Sequence, residues 1–303
     1  MIRALRGVVP AILVLVAAGP ARAEEPKFAY GDRAELKDVK DVVWKAAVQA
    51  GMILTTGNSR TTTISATASA SRKSGANKLA LEGGAAFARS TVYFAQDLDG
   101  NGTIDNDAEI LEDAQTTTQA WIVKGRYDRF LTEHNSLYAS ATAGADEPAG
   151  KQFVGGGQVG YSRQLYVDDK HEVVAEVGYD FTYENPVVGP GVSIHSARVF
   201  AGYKGKLTPD TGVEAAIEAL SNFNSLDTAA GEVESFEDTR INGLTKLTTK
   251  VWENVSFGFS FGLKYDHAPS PRPPLGIPYA AGFVPLADEL DTKSEVSLIV
   301  NFL

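Results

Sequence analysis

From Trp44 onward, apolar side chains recur at every second position. A strand sends successive side chains to opposite faces, whereas a helix repeats every ~3.6 residues, so this period commits the chain to β-structure. In 255–266, Val255, Phe257, Phe259, Phe261, Leu263 and Tyr265 share one face. Ser256, Gly258, Ser260, Gly262, Lys264 and Asp266 share the other. In 173–183 the apolar face is Val173, Ala175, Val177, Tyr179, Phe181 and Tyr183, and its reverse carries Glu176, Gly178, Asp180 and Thr182. Twelve such segments are expected, near 44–54, 61–71, 78–94, 116–131, 136–145, 153–167, 171–183, 194–207, 212–223, 239–249, 255–266 and 292–302. Helix-like spacing is confined to Asp32–Val43, through Leu36, Val39 and Val43.

The connections alternate in length. Residues 73–77, 132–135, 168–170, 208–211 and 250–254 are short polar turns. Residues 95–115, 146–152, 184–193, 224–238 and 267–291 are mostly longer, and only 55–60 is brief on that side. Even strand number, one apolar face and this asymmetry predict an all-β fold: an antiparallel transmembrane β-barrel of about 12 strands, with short periplasmic turns and longer extracellular loops. Closure satisfies every backbone group in lipid and leaves no edge. A soluble β-sandwich alternates too, but its strands average about five or six residues.

Arg3 and Arg6 precede an apolar run, Val8–Ala18, and Ala21-Arg22-Ala23 supplies small residues for cleavage. That is a secretory signal over residues 1–23. A periplasmic segment over 24–43 and the barrel over 44–303 complete the expected organisation. The whole chain carries 28 Lys and Arg against 38 Asp and Glu, a formal charge of −10. Loss of Arg3, Arg6 and Arg22 with the signal takes it to −13. An acidic chain is no nucleic-acid binder. The absence of Cys excludes disulfides and thiolate chemistry.

The inward positions carry charges of both signs. From the seventh to the tenth strand the sign alternates, Glu176 and Asp180, then Arg198, Lys204 and Lys206, then Glu214 and Glu218, then Arg240 and Lys246, while Lys124, Arg126 and Asp128 share the fourth strand and Lys264 and Asp266 the eleventh. Opposite signs on neighbouring strands favour lateral pairing. Counting from the connections sets Asp180 about opposite Arg198 and Lys206 about opposite Glu214. A lattice of paired charges braces the wall, whereas a stripe of one sign would have favoured a selective channel. The leading expectation from the residues is therefore a non-enzymatic barrel of structural role. A narrow diffusion channel for small polar solutes is the alternative.

The sharpest local motif lies in a loop. Asp97, Asp99, Asn101 and Asp105 offer side-chain oxygens and Thr103 a carbonyl, with Gly102 sixth in the series, as in a calcium loop. The closing position holds Ala108 rather than Glu, and no helices flank it. Calcium is the ion such a loop would take, the alternative being an acidic solvated loop rich in turn formers; no other cofactor is expected. An enzyme reading rests on Ser193 and His195 sharing a face, as in a surface lipid hydrolase. No third group can be assigned to orient the base, so no catalytic residue is expected. Arg89, Arg129 and Arg163 interrupt the apolar face and belong near an interface. The expected partners are outer-membrane lipid and lipopolysaccharide, and the barrel-assembly machinery through the C-terminal strand, with Val296, Leu298, Val300 and Phe302 on one face.

Trp44 opens the first strand, and Leu54-Thr-Thr-Gly57-Asn58-Ser59-Arg60-Thr61-Thr62 forms the first loop. Tyr127-Asp128-Arg129 ends the fourth strand and Lys264-Tyr265-Asp266 the eleventh. On these pieces the chain resembles the salt-induced outer-membrane protein family, the domain of unknown function 481 family, over nearly all of the mature sequence. The resemblance implies a bacterial outer-membrane barrel with no established enzymatic activity, and it transfers no catalytic residue. A link to salt stress is implied by the family name alone.

Overall fold

The computed structural model describes residues 42–55, 60–96, 98, 107–229, 231–253, 255–272 and 283–300. The expected signal, the helix-like stretch up to residue 41 and the calcium-type loop residues Asp97, Asp99, Asn101, Thr103 and Asp105 lie outside them.

The strands are β1 (Val43–Thr55), β2 (Arg60–Ser74), β3 (Asn77–Ala95), β4 (Ile110–Phe130), β5 (Asn135–Asp146), β6 (Lys151–Val167), β7 (His171–Pro186), β8 (Val192–Lys206), β9 (Thr211–Asn222), β10 (Leu226–Thr228), β11 (Gly231–Val233), β12 (Thr239–Trp252), β13 (Val255–Asp266) and β14 (Leu290–Val300). Two single-turn 3-10 helices, Asp107–Glu109 and Glu147–Ala149, sit in connections. Twelve strands form one sheet in the order β1 to β9, β12, β13, β14, each antiparallel to its neighbours. The small pair β10–β11 stands apart in the long connection between β9 and β12. Twelve antiparallel strands in meander order are the fold class that the alternation required. Among the described residues no ladder joins β1 to β14.

The short turns are built by local chemistry. Gly75, at φ 54°, supplies the left-handed step between β2 and β3. Between β6 and β7, the Asp168 carboxylate accepts from the backbone N–H groups of Lys170 (2.8 Å) and His171 (2.6 Å) and from the Tyr166 hydroxyl (2.8 Å). These donors hold its carboxyl below the ordinary range.

Two elements run beyond their expected ends. The β3–β4 ladder continues past a bulge at Ala88/Arg89 to pair Ala95 with Ile110. Glu112 and Asp113, expected in a loop, therefore stand on strand β4, paired with Tyr93 and Val92. This stretch lacks apolar contrast, so its period was silent. The loop expected over 224–238 holds β10 and β11 for the same reason.

Burial is inverted relative to a water-soluble sheet. On one face Leu81, Val177, Val199 and Ile217 are each more than half exposed, and Trp121, Val123, Phe257 and Phe259 are exposed with them. On the other face Arg126, Asp128, Glu176, Asp180, Arg198 and Glu218 are buried. Tyr127 and Tyr183 stand on the apolar face near strand ends, where an interfacial belt would fall, whereas Tyr179 stands at the middle of β7. Tyr127 donates to Asn77 (2.6 Å), and so does Arg129 (2.9 Å), which anchors that exposed guanidinium at the turn end.

Candidate functional site: the charged interior

The pleat sends even-numbered residues of β4 to β8 inward, and register decides which of them meet. One lateral row reads Asp128, Tyr138, Gly160, Gly178, Arg198, Leu220, Arg240, Asp266 across β4 to β9, β12 and β13. The next reads Phe130, Ser136, Ser162, Glu176, Phe200, Glu218, Asn242, Lys264.

Around Arg198 and Arg126 the charges pair along diagonals rather than straight across. Arg198 stands opposite Gly178, yet its guanidinium donates to Glu176 (2.9 Å), to Glu218 (2.5 Å) and to the Tyr138 hydroxyl (2.7 Å). Arg126 donates through Nη2 to Asp128 (2.7 Å) on its own strand and to Glu176 (2.7 Å) three strands away. Glu176 is thus held by two arginines, and five charged groups from β4, β7, β8 and β9, with Tyr138 of β5, form one connected network. Diagonal neighbours lie roughly 7–8 Å apart, within reach of long side chains. Buried charges persist only when paired and hydrogen-bonded, and every member here is.

Tyr138 is the member that sequence reasoning missed. It lies beneath both guanidinium groups, 4.3 Å from Arg126 and 5.5 Å from Arg198, measured from guanidinium carbon to ring centroid. Gly160 and Gly178 make room for it. A Cβ on either would come within 2.6 Å of its hydroxyl. The available signal was an aromatic on the inward face of β5, otherwise Ser136, Ser140 and Thr142, facing a glycine on each of the next two strands.

A second cluster lies at the loop end. Lys151 at the start of β6 contacts Glu184 on β7 (2.8 Å) and Asp266 on β13 (3.7 Å). Strands β6 and β13 are five places apart in the sheet order, so the sheet curls far enough for its inward side chains to meet across the interior. Arg240 stands 3.4 Å from Asp238 and 3.9 Å from Asp180. Asp180 also accepts from Gln158 (2.9 Å) and Thr182 (2.8 Å). The final loop folds onto this cluster, since Ser270 donates to Glu184, and Arg272 N–H bonds back to the Pro285 carbonyl (2.8 Å).

The two expected cross-strand pairs are corrected by two residues. Asp180 faces Ser196, not Arg198, because β7 and β8 extend to Glu184↔Val192 and shorten their loop. Lys206 faces Gly212, not Glu214, because the Leu207 N–H closes the turn onto the Thr211 carbonyl (2.8 Å). Lys204 takes the place opposite Glu214, with Glu172 opposite it on the other side and Lys246 opposite Glu214 on β12. A slip of two keeps every residue on its face, so the inward set is unchanged. Lys124 lies between Glu82 and Thr142, and Lys264 between Asn242 and Asp291.

Ser193 and His195 both lie on the outward face. The His195 ring bonds the Tyr179 hydroxyl through Nδ1 (2.6 Å), and the His195 backbone N–H donates to the Asn224 side-chain oxygen (2.9 Å). His171 and His267 meet Tyr203 (2.8 Å) and Tyr265 (3.1 Å) in the same manner. Among the described residues, no three His, Asp or Glu side chains converge as metal ligands.

No curated protein matches the chain. Among solved structures it is similar to the Pseudomonas aeruginosa FadL homologue, at 11% identity and a TM-score of 0.33, over 74% of this chain and 66% of that one. The model of the family described as protein of unknown function, DUF481, matches residues 48–302, and the chain belongs to that family.

Proposed function

We propose that this chain is a bacterial outer-membrane β-barrel whose interior is closed and braced by its own side chains, with a structural role in the envelope and no catalytic chemistry. What supports the reading is a pair of cross-interior contacts in a sheet with its apolar face outward: Arg126 with Glu176, and Lys151 with Asp266. Both span strands that are not neighbours, so they lie across the path a solute would take. An apolar outer band is what a bilayer requires of a barrel exterior. The charges of the interior serve one another, with Glu176 gripped from two sides, and no single-sign stripe remains to sort ions.

The test is conductance. Purified full-length chain reconstituted in planar bilayers is expected to give no discrete steps above baseline. Regular steps would overturn the closed interior and establish the narrow diffusion channel instead.

A further inference from the structure

The loop end of the interior contains a cavity that the bracing role does not use. Pro186, Pro190, Val192, Leu226 and Leu286 give it apolar walls, and Asp238 stands at its polar end with Glu184, Arg240 and Asp266. Asp238 is only 2% exposed, and its Oδ1 has no hydrogen-bond partner. Its other oxygen lies 3.4 Å from Arg240 Nε, an ion pair without hydrogen-bond geometry, since that Nε has no hydrogen-bond partner either. Around it Asp180, Glu184, Asp238 and Asp266 face two cations, Lys151 and Arg240. The cluster thus has an excess of two negative charges, and one buried carboxylate oxygen lacks a donor. A buried charge without a partner is costly, and it is relieved by a cation or by a proton.

We propose that this cavity binds a small primary ammonium, its nitrogen on Asp238 Oδ1 and its alkyl part against the proline and leucine walls. Three N–H donors on a compact cation match a single free oxygen beside paired carboxylates. The apolar walls exclude a hydrated divalent ion, which needs about six or more oxygen ligands. The cavity volume, about 40 Å³, equals on the order of three waters, the size of a two-carbon amine. Burial pushes the Asp238 carboxyl up, so the proton is the competing occupant.

Thermal unfolding of the full-length chain in lipid vesicles, read by heat-modifiable gel migration, tests this with ethylammonium chloride as probe. Sodium chloride and tetraethylammonium chloride at equal ionic strength are the controls. Ethylammonium alone is expected to raise the midpoint saturably, by roughly 2–4 °C. Asp238→Asn should abolish the rise. Val192→Phe, which fills the cavity without touching a charge, should abolish it as well and carries the test if Asp238→Asn does not fold. Equal midpoints in all three salts, or a saturable rise that survives in either folded variant, would overturn the proposal and leave a protonated Asp238 as the occupant of the site.

Discussion

Arg198→Ala is expected to destabilise the folded barrel by about 3–5 kcal/mol, the range for breaking a buried ion pair from one side. Arg198 holds Glu176, Glu218 and Tyr138 together. Its removal leaves Glu218 without that guanidinium and Glu176 with Arg126 alone. The uncompensated charge, more than the lost contact, sets the cost. Replacing both sides by groups of similar volume, as in Arg198→Met with Glu218→Gln, should therefore cost less than Arg198→Ala alone, because no carboxylate is stranded. Urea titration of the chain folded in lipid vesicles, followed by tryptophan emission, measures both. A midpoint for Arg198→Ala equal to that of the parent would show that these buried contacts do not brace the wall.

The exposed face gives the second large effect. Val177 and Val199 are cross-strand partners near the middle of β7 and β8, each more than half exposed. Val177→Arg is expected to cost about 2–4 kcal/mol in a bilayer, as a charge at the midplane of a barrel exterior does. Leu137→Arg, on the same face but two residues into β5 from its turn, should cost at most about 1 kcal/mol. The gradient matters more than either value. A sheet with this face in water would tolerate both arginines equally. The same vesicle titration reads the difference, and equal midpoints for the two variants would remove lipid from the outer face.

Much of the fold was legible because a pleat leaves each residue only two directions. Once Val255 to Tyr265 alternated, the faces of β13 were settled, and eleven of the twelve sheet strands fell within three residues of their expected places, β4 alone starting six residues early. Strand ends failed where apolar contrast failed, as at Glu112 and Asp113 on β4. Pairing was less legible than facing. Register depends on how each connection closes, and the Leu207–Thr211 hydrogen bond moved Lys206 away from Glu214 without moving it off its face. The inward charges could be named from the sequence, but their partners could not, because long side chains reach diagonally. Tyr138 over Gly160 and Gly178 was legible only in parts. Each glycine looked like an ordinary small inward residue until register set the three side by side. The loop-end cavity had no sequence signal, since Pro186, Leu226, Asp238 and Leu286 come from three separate connections and strand ends.

The absence of Cys from the natural chain makes the central claim directly measurable. A single Val199→Cys substitution, labelled with a nitrobenzoxadiazole dye and folded into vesicles, places one reporter on the outer face. If that face meets lipid, the dye is quenched by nitroxide lipids labelled near the bilayer centre and is shielded from aqueous iodide. Free access of iodide with no quenching by the nitroxide lipids would contradict a membrane-spanning barrel with a closed, charged interior.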